Sequence, residues 1–139
     1  MKVKTYNIEF STTHELEMHD LTYEVEKYVS SSGIKNGIGL VFAIGSTCAI
    51  TTFEFEPGLE KDIRDALNRL FPKDIFYEHH YRWGDYNGHS HVRASFLKQD
   101  FTFPIVNGKA ILGTWQQIVF IEFDIKPRRR RVVLQLMGE

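Results

Sequence analysis

The first half of the chain carries hydrophobic patterns typical of β-strands. Residues 3–10, VKTYNIEF, alternate apolar and polar positions, which predicts a half-buried strand, and residues 14–20 could continue as a second strand. Residues 37–45, GIGLVFAIG, form an apolar run between glycines, which predicts a buried strand. Residues 48–56, CAITTFEFE, have strand composition and end in strict alternation.

Two helices are predicted between and after these strands. Leu21, Val25, Tyr28 and Val29 fall on one helical face, and Asp20 before them suits an N-cap. A second helix opens at proline 57 and ends before proline 72, because its apolar positions 59, 63, 67 and 70 form one stripe.

The second half of the chain is mostly β. Asn107-Gly108 lies between two apolar stretches, which is a strong hairpin signal, and residues 114–125 and 130–138 are predicted strands. The element order predicts an α+β fold: a single compact domain, residues 1–139, with a curved, largely antiparallel sheet packed by two main helices.

Composition restricts the classes of protein that the chain can represent. With 42% hydrophobic and 14% aromatic residues it can form a real core, yet no apolar run is long enough to span a bilayer. The N-terminus lacks the apolar segment of a secretory signal, so a cytoplasmic location is expected. The single cysteine, Cys48, excludes an internal disulfide, and its small, apolar neighbours favour a buried, inert thiol over a nucleophile.

The segment 79–93, HHYRWGDYNGHSHVR, concentrates the metal- and anion-binding side chains of the chain. On an extended chain His89 and His91 would point the same way, and His79 and Asp85 could join them. Such a set would suit zinc or another divalent metal with one position left open for water or substrate. The alternative is a hydrogen-bonded loop whose histidines satisfy backbone groups.

The run KPRRRR, residues 126–131, is the one strong concentration of charge in a chain of net charge −1. It fits either a solvated turn or an anion pocket for phosphate. Nucleic acid is not expected as a partner, because no aromatic platform or DNA-reading motif accompanies the run. Glu54 could add a carboxylate to such a site, whereas Trp115 is more typical of a core position.

Several motifs in order, STCAITTFEFEPGLEKDI, YEHHYRWGDYNGHSHVRASFL, FPIVNGKAILGTWQQIVFIEFD and PRRRRVVLQLMGE, resemble the YjbQ family over almost the whole chain. The resemblance implies a compact α+β domain that assembles as a homotrimer. The family label implies a secondary thiamine-phosphate synthase, which joins the pyrimidine and thiazole phosphate moieties of thiamine with loss of pyrophosphate. The family's polar signature falls on Ser46, Thr47, Glu54, His79, Asn87, His91, residues 113–116 with Trp115 and Gln116, and Arg128 and Arg130. In many relatives a histidine precedes a Thr-Thr pair; at the corresponding positions this chain has Gly45 followed by Ser46 and Thr47.

Two functions are compatible with these residues. In the first, an enzyme binds a phosphorylated small molecule: His79, His89, His91 and Asp85 hold a divalent metal, zinc or magnesium. Ser46, Thr47, Asn87, Trp115, Gln116, Arg128 and Arg130 then bind the substrate, and Glu54, His79 and His91 are the catalytic residues. In the second, a trimeric protein binds a phosphorylated metabolite or a metal without turnover.

Overall fold

The computed structural model describes residues 1–139, the whole chain, as eight strands and four helices. The strands are β1 (Lys2–Thr12), β2 (Met18–Asp20), β3 (Gly37–Ala43), β4 (Cys48–Phe53), β5 (Asp100–Val106), β6 (Lys109–Ala110), β7 (Gln117–Glu122) and β8 (Arg128–Gly138). The helices are α1 (Thr22–Ser31), α2 (Pro57–Leu70), α3 (His79–Trp83) and α4 (Gly88–Leu97).

The strands form two antiparallel sheets. The five-stranded sheet has the order β1-β8-β3-β5-β6, and the three-stranded sheet has the order β2-β7-β4. The prediction of a single α+β domain with a largely antiparallel sheet is confirmed. The strands of this antiparallel architecture are distributed over two sheets.

The three-stranded sheet is the middle layer of the molecule. One face packs against the five-stranded sheet and α1 through residues such as Ile50, Phe120 and Leu134. The other face packs against α2 and α4, where Val119 and Ile121 meet Leu67. Because both faces are covered, β7 is buried along nearly its whole length, and any polar side chain at its end must find its partners inside the protein.

Both predicted helices are present, with local details that differ from the sequence expectation. The helix α1 begins after Leu21, and the Asp20 carboxylate accepts a hydrogen bond from the Thr22 amide at 3.0 Å instead of occupying the N-cap itself. Pro57 opens α2 as predicted, while the Glu56 carboxylate caps it by accepting from the amides of Gly58 and Leu59.

The strand β3 is not buried on both sides, contrary to the prediction from its continuous apolar run. Ile38 and Phe42 are exposed because they lie on the outer face of the five-stranded sheet, which no other element of the chain covers. The inward residues, such as Val41, belong to the main core. No helix is both long enough and apolar enough to cross a membrane.

Candidate functional site

The segment predicted as an irregular histidine-rich loop is largely helical. Residues 79–83 form the short helix α3, which ends at Gly84 in the left-handed conformation (φ 68°). Residues 88–97 form α4. Asn87 precedes α4, but its side chain turns away from the helix end and donates to Asp124.

His79 and His91 face each other across the gap between α3 and α4. Their ring centroids are 4.5 Å apart, and His79 Nε2 lies 3.8 Å from Asp85 Oδ1. His79 Nε2 is buried and has no hydrogen-bond partner within the chain. Partial burial, with repulsion from His79, lowers the pKa of His91, which favours its neutral form. The pair therefore offers two neighbouring imidazoles to a ligand.

His89 does not join this pair, and the predicted metal set of His79, His89, His91 and Asp85 is not assembled. In a helix, positions i and i+2 point about 200° apart, so His89 faces the interior and its Nε2 lies 2.5 Å from Glu15 Oε1. No group of three or more His, Cys, Asp or Glu side chains is arranged to hold a metal ion.

The carboxylate of Asp124 lies just beyond β7 and connects three parts of the chain. Asp124 accepts hydrogen bonds from Arg128 Nε at 2.7 Å, from Asn87 Nδ2 at 3.3 Å and from Thr47 Oγ1 at 3.3 Å. Burial raises the pKa of Asp124, but the bonds from Arg128, the Ile125 amide and Asn87 outweigh it and hold the pKa below its usual range. Asp124 is thus an ionised, fixed partner for the residues around it.

Two positions earlier, the fully buried Glu122 binds Arg130. Arg130 Nε donates to Glu122 Oε1 at 2.8 Å, Nη2 donates to Glu122 Oε2, and Nη2 also donates to Thr47 Oγ1 at 2.9 Å. Thr12 Oγ1 donates to Glu122 Oε1 at 2.6 Å. Burial lowers the pKa of Arg130, but the hydrogen bond and charge of Glu122 outweigh it and raise that pKa. Arg130 therefore keeps its charge inside the protein.

Arg128 and Arg130 are consequently held in the same way, each by its own carboxylate. In both residues Nε or Nη2 atoms bind the carboxylate, while Nη1 donates no hydrogen bond within the chain. Arg130 Nη1 points at the backbone of Gly45, where a Cβ would lie only 2.6 Å away. The absence of a side chain at Gly45 thus makes room for this guanidinium.

We expect Gly45→Ala to displace the Arg130 guanidinium, because Glu122 and Thr47 prevent it from moving freely. The overpacking should lower the free energy of unfolding by about 1–3 kcal/mol, measured by urea denaturation. Gly113→Ala is the matched control, since its Cβ would meet Gln116 atoms at an ordinary 3.6 Å. Equal stability of both variants would show that Arg130 does not need the space at Gly45.

Other predicted site residues lie at the opposite end of the three-stranded sheet. Cys48 pairs with Glu122 at one end of β4 and β7, and Phe53 pairs with Gln117 at the other, about 17 Å away at 3.4 Å per residue. Glu54 comes directly after Phe53, and Trp115 and Gln116 come directly before Gln117. All three therefore lie at the far end of the sheet and do not meet His79 and His91 within one chain. The core interpretation of Trp115 is wrong, since 69% of its surface is exposed.

The remaining predictions have mixed outcomes. Ser46 is exposed, whereas Thr47 is buried between Asp124 and Arg130. Gln116 closes a local turn by accepting from the Gly113 amide at 3.0 Å. Cys48 is fully buried as predicted, and desolvation raises its pKa to about 11.

Sequence reasoning missed the two acidic residues that organise the site, Glu122 and Asp124. Their signal is present in the segment FIEFD, where two carboxylates follow a hydrophobic strand a few residues before the arginine run. Buried carboxylates need cationic or hydrogen-bonding partners, and Arg128 and Arg130 are the nearest ones in sequence. It also missed Glu15 and Arg93, which lie beside His89.

The fold and the site define a class: small two-sheet α+β proteins with a cluster of carboxylates, arginines and imidazoles at one end of the inner sheet. The chain belongs to the YjbQ family, because the family model described as "UPF0047 protein YjbQ-like" matches residues 6–139.

Relatives and solved structures agree with this assignment. A UPF0047 protein of Methanothermobacter thermautotrophicus is 40% identical over 139 residues, which cover 100% of this chain and 95% of the relative. The UPF0047 protein YugU of Bacillus subtilis is 33% identical over 94% of this chain and 97% of its own length. The crystal structure of a YbjQ-like protein of unknown function from Sulfolobus solfataricus has a TM-score of 0.88 at 35% identity, covering 99% of this chain and 100% of that one.

Proposed function

We propose that the protein binds a phosphorylated small molecule at the polar cluster where α3, α4 and the turn between β7 and β8 meet. The observation that carries the proposal is that Arg128 and Arg130 are each held in a fixed orientation by a buried carboxylate. Each is fixed by a carboxylate through Nε and Nη2, and Arg128, with 40% of its side chain exposed, can present the rest of its guanidinium to a ligand. Oriented guanidinium groups of this kind bind phosphate oxygens at little entropic cost.

The reaction that this arrangement supports best is a transfer with pyrophosphate as leaving group, as in a thiamine-phosphate synthase. The bond between the pyrimidine methylene carbon and the diphosphate oxygen breaks, and its electron pair leaves with pyrophosphate. The lone pair of the thiazole nitrogen forms the new carbon–nitrogen bond. Arg128 would stabilise the negative charge on the departing group, and the neutral imidazole of His91 could donate a hydrogen bond to it.

We further propose that a divalent cation, zinc or magnesium, binds together with the diphosphate. His79 and His91 would supply two protein ligands, and phosphate oxygens would complete the coordination. His79 Nε2 favours this proposal, because it is buried without a partner and close to Asp85. The metal content of the purified protein and of a His79→Ala variant, with and without pyrophosphate, tests it. Equal, near-zero metal in all four samples would contradict it.

Binding of inorganic pyrophosphate, measured by calorimetry, tests the proposed site. We expect Arg128→Ala to weaken binding about tenfold or more, and to lower stability by about 1–3 kcal/mol because the buried Asp124 carboxylate loses its cationic partner. Arg69→Ala, at the end of α2, is the control for loss of one positive charge. Unchanged affinity in Arg128→Ala would exclude the proposed phosphate contact.

A second measurement separates an enzyme from a binding protein. The two thiamine precursors are incubated with wild-type protein and with the His79→Ala, His91→Ala and Glu54→Ala variants, and thiamine phosphate is quantified. Product that disappears in the histidine variants supports catalysis. Pyrophosphate binding without product supports the non-catalytic alternative, and product that persists in all variants indicates a contaminating enzyme.

We propose that the protein assembles as a homotrimer through the outer face of the five-stranded sheet. Val3, Met137, Ile38 and Pro104 stand side by side on four neighbouring strands, and all four are exposed. A contiguous apolar row of this kind is typical of a protein interface. Assembly could also bring Glu54 and Trp115 of one subunit to the histidine pair of another.

We expect light scattering to give three times the chain mass of 16.2 kDa, and Ile38→Asp to reduce it to a single chain because a carboxylate would be buried in the interface. Tyr23→Asp, on an exposed position of α1, is the control. A monomeric wild-type protein would exclude the trimer. If the site is shared between subunits, mixtures of Glu54→Ala and His91→Ala chains should recover part of the activity that each lacks.

A further inference from the structure

Glu15 lies far from the His79–His91 pair in sequence, but its carboxylate contacts α4, which carries His91, and the segment before α3, which carries His79. It belongs to the connection between β1 and β2. One carboxylate oxygen, Oε1, lies 2.5 Å from His89 Nε2 and 3.5 Å from Arg93 Nη1, both on α4. The other oxygen, Oε2, accepts a hydrogen bond from Lys73 Nζ at 3.1 Å, in the segment that leads to α3.

The α4 residues in this cluster are fixed by burial. The side chains of His89 and Arg93 are essentially inaccessible to solvent. Arg93 also donates from Nε and Nη2 to the carbonyl oxygen of Phe71, at the end of α2, and from Nη2 to Asn68 Oδ1. A buried guanidinium needs a negative partner, and Glu15 is the carboxylate that supplies it.

Glu15 therefore helps to fix the orientation of α4 about its own axis, together with the contacts of Arg93 to α2. His89 and His91 point about 200° apart around the helix, so fixing His89 against Glu15 directs His91 toward α3. Lys73 ties the chain ahead of His79 to the same carboxylate. One side chain thus connects α4 to the segment that leads to α3.

We propose that Glu15 is a positioning residue that holds the His79–His91 pair in its binding geometry without contacting the ligand. The proposal rests on the proposed function of that pair in phosphate binding. Hydrogen bonds from His89 and Lys73 outweigh the effect of burial and lower the pKa of Glu15, so the residue carries its charge at neutral pH.

The test compares Glu15→Gln with wild type by calorimetry with inorganic pyrophosphate, at a temperature where both are folded. We expect affinity to fall about tenfold or more, because the two imidazoles would no longer be pre-oriented for the ligand. Glu60→Gln, which removes a carboxylate paired with Arg64 on α2, should bind normally. Val29→Ala, a cavity variant in the main core, should lose stability without losing affinity.

A second readout needs no ligand. The rings of His79 and His91 are close enough to shift each other's proton resonances, so those chemical shifts report their mutual geometry. Glu15→Gln should change both shifts, whereas Glu60→Gln and Val29→Ala should not. Wild-type ring shifts in a destabilised Glu15→Gln variant, with unchanged affinity, would overturn the proposal. If wild-type protein binds no pyrophosphate, the proposed function fails, while the ring shifts still decide the role of Glu15.

Discussion

Replacing Glu122 by glutamine should lower the free energy of unfolding by about 3–5 kcal/mol, because it leaves the Arg130 guanidinium buried without a counter-charge. The substitution keeps the size of the side chain, so the loss reports charge and hydrogen bonding and not a cavity. Only 8% of the Arg130 side chain reaches solvent, so hydration cannot replace the lost carboxylate. Urea denaturation at pH 7 measures the effect.

Two controls identify the cause of this loss. Glu60→Gln breaks a surface pair with Arg64 and should cost no more than about 0.5 kcal/mol. The double variant Glu122→Leu with Arg130→Met replaces the buried pair by apolar groups of similar volume and should regain most of the lost stability. A Glu122→Gln variant within about 1 kcal/mol of wild type would contradict the structural role of the pair.

Replacing Asp124 by asparagine should have its largest effect on ligand binding. The substitution removes the charge that fixes Arg128 and weakens the acceptor shared by Asn87 and Thr47, so we expect pyrophosphate affinity to fall about tenfold or more. Stability should fall by about 1–3 kcal/mol, less than for Glu122, because the partly exposed Arg128 can be hydrated when its partner is lost.

Calorimetry and urea denaturation on the same samples separate the two effects. The double variant Asp124→Asn with Arg128→Ala should bind no more weakly than Arg128→Ala alone if Asp124 acts through Arg128. Independent, additive losses would show that Asp124 affects the ligand by another route. A variant with wild-type affinity would remove Asp124 from the site.

The local patterns predicted much of the fold, because strands and helices leave a period in the sequence. The stripe of α2 and the Asn107-Gly108 hairpin, with φ of 51° and 76°, are where the sequence placed them. The exposure of β3 was not predictable from its composition. An apolar run is compatible with burial on both faces and also with one apolar face that is exposed in the single chain. The division into two sheets depends on pairings between residues distant in sequence.

The site was predictable only in part, for the same reason. The sequence placed His79, His91 and Arg128 in one predicted site. In the structure His91 lies close enough to Asp124 and Arg128 for their charges to affect its pKa. The mistake at His89 came from assuming an extended chain where the backbone is helical. Glu15, 74 positions away from His89, carries no local signal of that contact.

The most direct test of the phosphate site is the NMR spectrum of the ¹⁵N-labelled protein titrated with inorganic pyrophosphate. The account predicts that the largest changes fall on the amides around Thr47, Asn87, His91 and Arg128. Changes confined to the far end of the inner sheet, around Glu54 and Gln116, or no changes at millimolar ligand, would contradict it.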